Sequence, residues 1–189
     1  MCSMMPPRCH RVPGHGAAGG FNEAVHPTVP PQLLELPDPG VERWLRIATR
    51  DDVPAIVRLL ADDTLGAGRE DAGDLAPYHA AFERISDDPG HRLVVVVAGD
   101  EVVGTLQLTI LPGMARRAAT RGQIEAVRVA ASERGRGTGA AMVRWAIEEA
   151  RRAGCSLVQL TSDTSRVDAH RFYTGLGFAA THVGFKLEL

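Results

Sequence analysis

The residues best suited to chemistry form a glycine-rich segment, Arg134-Gly135-Arg136-Gly137-Thr138-Gly139, between a predicted strand and a predicted helix. Glycine lets a backbone turn sharply and approach a ligand closely. The free amides at a helix N-terminus favour an anion, and two arginines add positive charge at the same place. A tight strand-to-helix turn with solvated arginines is the simpler interpretation, but three alternating glycines favour a phosphate or pyrophosphate site.

Two other nucleotide sites have related glycine patterns. Gly135, Gly137 and Ala140 match the spacing of a dinucleotide-binding fingerprint, and Asp163 lies near the distance expected for its ribose-binding acid. That fingerprint should follow its strand at once and open further strand–helix units, whereas residues 131–134 intervene here and little chain remains. The loop also lacks the lysine followed by serine or threonine of a nucleoside-triphosphate site. We therefore expect no NAD(P) binding.

A second motif lies downstream of the glycine loop. The stretch Val127–Gly139 resembles the acyl-CoA signature of the GCN5-related N-acetyltransferase (GNAT) family: Gln or Arg, two residues, Gly, one residue, then Gly or Ala. The stretch Ala169–Phe178, which reads AHRFYTGLGF, resembles the family's second signature, an alanine followed by Phe-Tyr and Gly-Phe. Both motifs occur at the family's separation, with a helix and a strand between them. The resemblance covers Trp44–Leu189.

The resemblance implies how the cosubstrate would be held. In this family the amides of the glycine loop wrap the pyrophosphate of CoA, and the preceding strand is typically bulged and diverges from its neighbour. Free backbone groups of that strand then hold the pantetheine arm and the acetyl carbonyl. The binding residues implied here are Val127, Val129, Arg134, Gly135, Arg136, Gly137, Thr138 and Gly139.

Two catalytic residues are implied in the same way. Tyr173 matches a tyrosine that often lies near the thioester sulfur and protonates the leaving thiolate. Glu125 matches a position where many members place the carboxylate that removes a proton from the amine, often through water. Tyr173 could instead be a packing residue with a locally satisfied hydroxyl. Glu125 could be a solvent-facing strand residue, in which case water or a group on another element would be the base.

The sequence departs from the family pattern at two positions. Ala131 stands where a proline is common, and Arg166 stands where an asparagine usually contacts pantetheine. The first change should matter little. The second removes the usual contact, although Arg166 could reach a CoA phosphate instead.

Hydrophobic periodicity predicts the elements around these motifs. We expect an α/β domain with one mixed central sheet of about six to seven strands flanked by helices, which is the GNAT-like acyl-CoA N-acyltransferase fold. The predicted strands are 44–48, 92–98, 102–111, 123–130, 156–161 and one or two within 178–189, and the predicted helices begin near 53, 75, 139 and 168.

The N-terminal stretch differs from the rest of the chain. Residues 1–43 hold most of the prolines and several glycines, so we expect a disordered leader there and an N-acetyltransferase domain over 44–189. The spacing of Cys2, Cys9, His10 and His15 matches no closed zinc pattern, and we expect no metal. Cys155 is expected to be a small core residue.

Composition excludes several classes of partner. The formal net charge of −2 gives no support for nucleic-acid binding, and no apolar run is long enough to cross a membrane. The three cysteines do not form a disulfide framework, which favours a cytoplasmic setting.

These patterns together predict an enzyme that transfers the acetyl group of acetyl-CoA to a primary amine of a small molecule or peptide, by direct attack. The alternative is a non-catalytic acyl-CoA-binding sensor or regulatory module, which would need no general acid.

Acidic side chains near the expected acceptor loop hint at a cationic amine, although a solvated acidic surface explains them equally well. The family often forms homodimers through its last strands, so a homodimer is also allowed. The acidic residues are Asp62, Asp63, Glu70, Asp71 and Asp74.

Overall fold

The computed structural model describes residues 29–34, 36, 40–62 and 68–189. Its strands are β1 (Gln32–Leu33), β2 (Arg43–Ile47), β3 (His91–Ala98), β4 (Glu101–Leu111), β5 (Arg121–Val129) and β6 (Leu157–Leu160). Its helices are α1 (Val53–Ala61), α2 (Ala76–Asp87), the short α3 (Ala115–Ala118), α4 (Thr138–Arg152) and α5 (Val167–Gly175). Single 3-10 turns precede α1 at Arg50–Asp52 and follow β5 at Ala131–Glu133.

The six strands form one sheet in the order β1-β2-β3-β4-β5-β6. Neighbouring strands from β1 to β5 pair antiparallel, whereas β6 runs parallel to β5 because α4 carries the chain across the sheet between them. This arrangement confirms the predicted mixed sheet. The glycine loop lies between β5 and α4, at the carboxyl end of β5.

The sheet is covered on both faces, and the alternation along β3 shows why. Val94 and Val96 belong to the large core cluster that includes Met142 of α4, whereas Val95 belongs to a second cluster that includes Val57 of α1. Val94, Val95 and Val96 are all fully buried. A strand buried on both faces reads as a continuous apolar run, as this one does.

Close contact between α4 and the sheet depends on Gly104 of β4. A Cβ at this position would lie 2.9 Å from the sulfur of Met142, which is itself fully buried. Since Met142 lies in the second turn of α4, the absence of a side chain at position 104 lets the helix that follows the glycine loop pack directly on the centre of the sheet.

The C-terminal segment differs from its prediction, because residues 178–189 form no strand in the structure. The segment has the alternating apolar pattern of a strand, but Val183, Phe185, Leu187 and Leu189 are all exposed. Alternation indicates an extended amphipathic segment, and pairing additionally requires a neighbouring edge at the right position. The sheet therefore has six strands, at the lower end of the predicted range.

Structure also appears within the stretch that was assigned to the leader. β1 pairs with β2 through Gln32↔Leu45 and Leu33↔Trp44, and Leu34 packs into the main core with 8% of its surface exposed. A two-residue strand is too short to show periodicity, which is why the sequence boundary falls later, at residue 44. Residues 1–28 lie outside the described part of the chain, including the cysteines and histidines considered as zinc ligands.

A membrane span is also absent from the described residues, since none of their helices is both long and apolar enough to cross a bilayer.

The packing of Leu34 generates a stability prediction. Leu34→Ala removes buried methyl and methylene groups and leaves a cavity at the sheet edge, so we expect a loss of about 2 kcal/mol in unfolding free energy. For a chain of this size that corresponds to a fall of about 4–8 °C in Tm. Leu33→Ala is the matched control, because the adjacent Leu33 side chain is 42% exposed. Equal melting temperatures for both variants would show that this segment does not support the core.

Candidate active site

A bulge in β5 is the first feature of the candidate site. Thr105 of β4 pairs with Arg128 and Gln107 pairs with Glu125, so two residues of β5, Ala126 and Val127, lie opposite one residue of β4. Ala126 has a φ of 53°, in the left-handed region that a non-glycine residue rarely adopts. Such bulges bend a strand and raise its twist, and they are common next to active sites. The bulge is the feature that the family resemblance implied.

The bulge coincides with the point where β5 loses its neighbour β6. The parallel pairing covers only residues 121–124 of β5 and 157–160 of β6. Residues 125–129 continue to pair with β4 on one side, but within the described residues no strand lies on the other. The two strands therefore separate at the bulge and leave an opening along the last part of β5. An extended ligand can lie in such an opening and hydrogen-bond to the strand.

The opening leads to the glycine loop. Gly135 and Gly137 have φ values of 80° and 92°, a backbone region that is strained for other residues. Gly137 is the N-cap of α4, and the first intrahelical bond runs from the amide of Ala141 to the carbonyl of Gly137. The amides of the first turn therefore have no partner within the helix and point to its N-terminal end. A phosphate group is the expected ligand of this arrangement.

A buried ion pair holds the loop to the sheet, and the sequence analysis missed it. Arg43 of β2, 1% exposed, donates from Nε and Nη2 to the two carboxylate oxygens of Glu133, at 2.9 and 3.0 Å. The hydroxyl of Thr138, which is fully buried, donates to Oε2 of the same carboxylate at 3.1 Å. Glu133 directly precedes the glycine-rich segment, and Thr138 lies near its end, where α4 begins, so residues 134–137 form the loop between them. The only signal in the sequence was an acidic residue beside the motif.

This environment changes the acidity of Glu133. Hydrogen bonding from Arg43 lowers the pKa of the Glu133 carboxyl, and although burial raises it, the Thr138 hydroxyl and the charge of Arg43 lower it further. A carboxyl whose pKa is depressed on folding adds stability above its ordinary pKa, and that stability is lost as the pH falls through the folded value. The loop anchor is therefore ionised at neutral pH.

The two loop arginines differ in their surroundings. Arg134 donates from Nε to the carbonyl of Val129 at 3.2 Å, and from Nη2 to the carbonyl and a carboxylate oxygen of Asp62 at 3.2 and 3.0 Å. It thus links the end of β5 to the residue that follows α1. Arg136 is exposed on the loop, and its charge also lowers the pKa of Glu133. The Arg134 guanidinium is therefore engaged by two other elements, and the roles of both arginines toward CoA stay predictions.

Tyr173 lies half-buried on α5, among aromatic rings. Its ring meets those of Phe172 and Phe178 edge-on, with centroids 5.0 and 5.9 Å away. Burial raises the pKa of the Tyr173 hydroxyl, and the positive charges of Arg166 and Arg128 oppose this only in part. The hydroxyl is therefore protonated at neutral pH and can donate a proton.

The glycine loop, the end of β5 and α5 meet at Gly139. A methyl group at this position would lie 3.5 Å from Cζ of Phe172 and 3.5 Å from a methyl carbon of Val129. Val127, Val129 and Tyr173 also pack against the same core cluster. The two sequence motifs are therefore brought together in space around the first turn of α4.

Glu125 occupies a different environment from Tyr173. It is exposed on β5, directly before the bulge residue Ala126 and opposite Gln107. Water therefore has access to this residue next to the bulge.

The acidic residues noted in the sequence are largely engaged in local structure. Asp62 binds Arg134, Glu70 accepts the Tyr78 hydroxyl, and Asp71 and Asp74 accept backbone amides of nearby turns. Asp63 lies outside the described residues. These contacts favour the interpretation of a structural and solvated acidic surface.

Two other kinds of site considered from the sequence are a metal site and a reactive thiol. Among the described residues no group of His, Cys, Asp and Glu is arranged to hold a metal. Burial raises the pKa of the Cys155 thiol, and Cys155 packs against the core, which agrees with its expected role as a core residue.

Comparisons with known proteins agree with this geometry. The chain matches the model of the "Acetyltransferase (GNAT) family" over residues 53–178, which is more than half of its length. It is 30% identical over 145 residues to an aminoalkylphosphonate N-acetyltransferase of Salmonella typhimurium, covering 77% of this chain and 90% of that protein.

Two solved structures have the same fold over 77% of this chain. A protein of Bacillus halodurans titled a transcriptional regulator is 43% identical, with a TM-score of 0.75 and coverage of 77% of this chain and 98% of that one. A putative acetyltransferase of Agrobacterium tumefaciens is 30% identical, with a TM-score of 0.69 and coverage of 77% and 99%. With its bulged strand, its glycine loop and these relatives, the chain belongs to the GNAT acetyltransferase family.

Proposed function

We propose that this protein is an acetyl-CoA-dependent N-acetyltransferase that acts on a primary amine by direct attack on the thioester. The observation that carries the proposal is the continuous path formed by the opening beside β5 and the glycine loop at the N-terminus of α4. A small, partly extended anionic cosubstrate with a pyrophosphate matches both parts of this path.

The residues present fit CoA. The loop between Glu133 and Thr138 lets its backbone approach a ligand closely, because Gly135 and Gly137 provide its left-handed positions between the exposed side chains of Arg134 and Arg136. The amides of Arg134 to Gly139 would bind the pyrophosphate. The backbone of β5 at Val127 and Val129 would hydrogen-bond to the pantetheine arm and orient the acetyl carbonyl. An amide aimed at that carbonyl would also stabilise the negative charge that develops on its oxygen.

Proton transfer completes the reaction. As the amine nitrogen forms a bond to the acetyl carbon, the carbon–sulfur bond breaks, the nitrogen loses a proton and the departing thiolate gains one. We assign the donor to the Tyr173 hydroxyl, whose raised pKa keeps its proton in place at neutral pH. We assign the acceptor to Glu125, whose exposed carboxylate would take the amine proton through water.

The acceptor is proposed to be an amine that also carries a phosphonate. Two observations support this choice over the cationic amine considered from sequence. The Salmonella typhimurium relative is named for aminoalkylphosphonates, and Arg128 and Arg166 lie near enough to the Tyr173 hydroxyl for their positive charges to lower its pKa. The acidic side chains that suggested a cation are occupied by Arg134, Tyr78 and local turns.

The non-catalytic sensor is the second candidate, because the Bacillus halodurans relative is titled a transcriptional regulator. A sensor would bind acetyl-CoA and release no free CoA with any amine. Continuous release of CoA thiol in the presence of an amine therefore separates the two functions.

A homodimer also remains a proposal. The exposed apolar side chains of the C-terminal segment, such as Phe185 at 94% exposure, would be covered by a second copy. Sedimentation equilibrium of the full chain measures this directly.

The first prediction tests the glycine loop. Gly137→Val places a β-branched residue at a φ of 92°, where it is strained, and adds bulk beside the loop amides. We expect acetyl-CoA binding to be lost in calorimetry while the far-UV circular dichroism stays native. Arg136→Ala is the milder comparison, with affinity reduced by about 1–3 kcal/mol for a lost charge-assisted contact. Native affinity in the valine variant would remove the loop from the binding site.

The second prediction tests the proton donor. Tyr173→Phe keeps the ring contacts with Phe172 and Phe178 but deletes the hydroxyl, so acetyl-CoA affinity should stay near the wild-type value. The turnover number at saturating substrates should fall on the order of 100-fold, the usual scale for a positioned general acid. Tyr78→Phe is the control, because Tyr78 bonds to Glu70 on the acidic surface. If Tyr173→Phe turns over normally, Tyr173 is a packing residue.

The third prediction tests the acceptor. We expect kcat/KM for 2-aminoethylphosphonate to exceed that for ethanolamine by at least about 10-fold, since each lost charge-assisted contact is worth roughly 1.5–3 kcal/mol. Arg166→Gln should reduce this ratio. Equal values for the two amines, measured as CoA thiol release, would contradict a phosphonate-bearing acceptor but leave acetyl transfer itself untouched.

A further inference from the structure

One buried carboxylate ties both ends of the glycine loop to the sheet. Glu133 lies directly before the loop, and its two oxygens accept hydrogen bonds from the guanidinium of Arg43, the first residue of β2. The oxygen Oε2 also accepts the Thr138 hydroxyl, directly after the loop. All three residues are at least nine-tenths buried, with exposures of 1%, 8% and 0% for Arg43, Glu133 and Thr138.

We propose that Arg43, Glu133 and Thr138 are positioning residues that hold the glycine loop in its pyrophosphate-binding conformation. The proposal rests on the proposed function, because it concerns the same CoA site. None of the three side chains needs to touch the cosubstrate, since they act through the loop backbone that Glu133 and Thr138 delimit.

Arg134 binds Val129 and Asp62, but the loop needs further support because two of its residues, Gly135 and Gly137, have no side chain that could fix the backbone. Residues 134–136 are exposed, and Gly135 and Gly137 lie in a conformation that only glycine adopts readily. Glycine loses more conformational freedom on ordering than any other residue. If that freedom were lost only when the ligand binds, the affinity would be reduced accordingly. Fixing the two ends of the loop in the ligand-free protein removes part of this cost.

The contacts among Arg43, Glu133 and Thr138 fix the geometry of the loop more than they stabilise the fold. A buried ion pair gives little net stabilisation compared with apolar residues of the same volume. The Arg43–Glu133 pair is bidentate, however, which fixes the orientation of the carboxylate as well as its distance. Because the third contact comes from the first residue of α4, the same carboxylate also sets where the helix begins relative to β2.

The chain contains a matched control at the other end of the same helix. Arg92 of β3 and Glu149 of α4 form a second buried pair, with Nε 3.4 Å from Oε1, and are 7% and 9% exposed. Glu149 lies eleven residues after Thr138, about 16 Å along a helix. This pair joins the same helix to the sheet without contact with the loop.

The experiment compares two double variants of the full chain. Arg43→Met with Glu133→Leu, and Arg92→Met with Glu149→Leu, each replace a buried ion pair by apolar side chains, so both are expected to fold. Calorimetry then measures the Kd for acetyl-CoA and for S-acetylpantetheine, which lacks the pyrophosphate. For the first variant we expect acetyl-CoA to bind at least about 10-fold more weakly and S-acetylpantetheine to bind as in the wild type. For the control both affinities should stay within about twofold.

A milder variant keeps the test decisive if the first double variant does not fold. Thr138→Val preserves the ion pair and removes only the hydroxyl contact, and we expect acetyl-CoA affinity to fall several-fold. If the first double variant folds and binds acetyl-CoA with wild-type affinity, this inference is overturned and the proposed function is not. The same conclusion holds if only Thr138→Val folds and its affinity is that of the wild type. An equal loss in the Arg92/Glu149 control would also overturn the inference, since the effect would then be general. If the wild-type protein itself does not bind acetyl-CoA, the proposed function and this inference both fall.

Discussion

The candidate site depends on one irregularity in the hydrogen bonding of the sheet. Ala126 and Val127 of β5 together face a single residue of β4, and β6 stays paired with β5 only up to Ile124. A regular strand would have continued both ladders and closed the space that a ligand needs. Holding Ala126 at a positive φ costs on the order of 1 kcal/mol. Pairing with β4 and the packing of Val127 against the main core cluster hold this part of β5 in place.

The bulge and the glycine loop can form one site because α4 packs firmly on the sheet. Met142 and the neighbouring apolar residues of the helix lie directly against β4, where Gly104 leaves room for them. The N-terminus of α4 therefore has a defined position at the carboxyl end of β5. Near its C-terminal end the helix is joined to β3 by the buried Arg92–Glu149 pair. At its start, the Thr138 hydroxyl donates to Glu133, which is itself paired with Arg43 of β2. Apolar packing supplies most of the stability, and the polar contacts define where the helix ends lie.

The electrostatics of the site follow from the same construction. The two loop arginines are exposed near the start of α4, while the buried carboxylate of Glu133 stays ionised because Arg43 and Thr138 hydrogen-bond to it. Tyr173 lies on α5 beside the rings of Phe172 and Phe178, and burial raises the pKa of its hydroxyl although the charges of Arg166 and Arg128 lower it in part. The proposed reaction uses both environments, an anion site for the pyrophosphate and a proton donor for the leaving thiolate.

Local pattern was sufficient for much of this protein. Continuous valines predicted β3, helical periodicity predicted α1 and α4, and the glycine spacing after β5 indicated an anion site, because each signal reflects the conformational needs of adjacent residues. The family resemblance then identified Tyr173 and Glu125 as candidates from their places in motifs, and their catalytic roles remain proposals.

Other features were decided only by the tertiary structure. The pairing of Arg43 with Glu133 joins residues ninety positions apart, and nothing near either residue reveals its partner. The contribution of β1 and Leu34 depends on an edge that β2 offers, and the C-terminal segment alternates like a strand without pairing within the chain. Periodicity records which face of a segment is apolar. The strand edge, charged group or cavity that contacts this face belongs to a segment distant in sequence. These contacts therefore depend on how the whole chain packs.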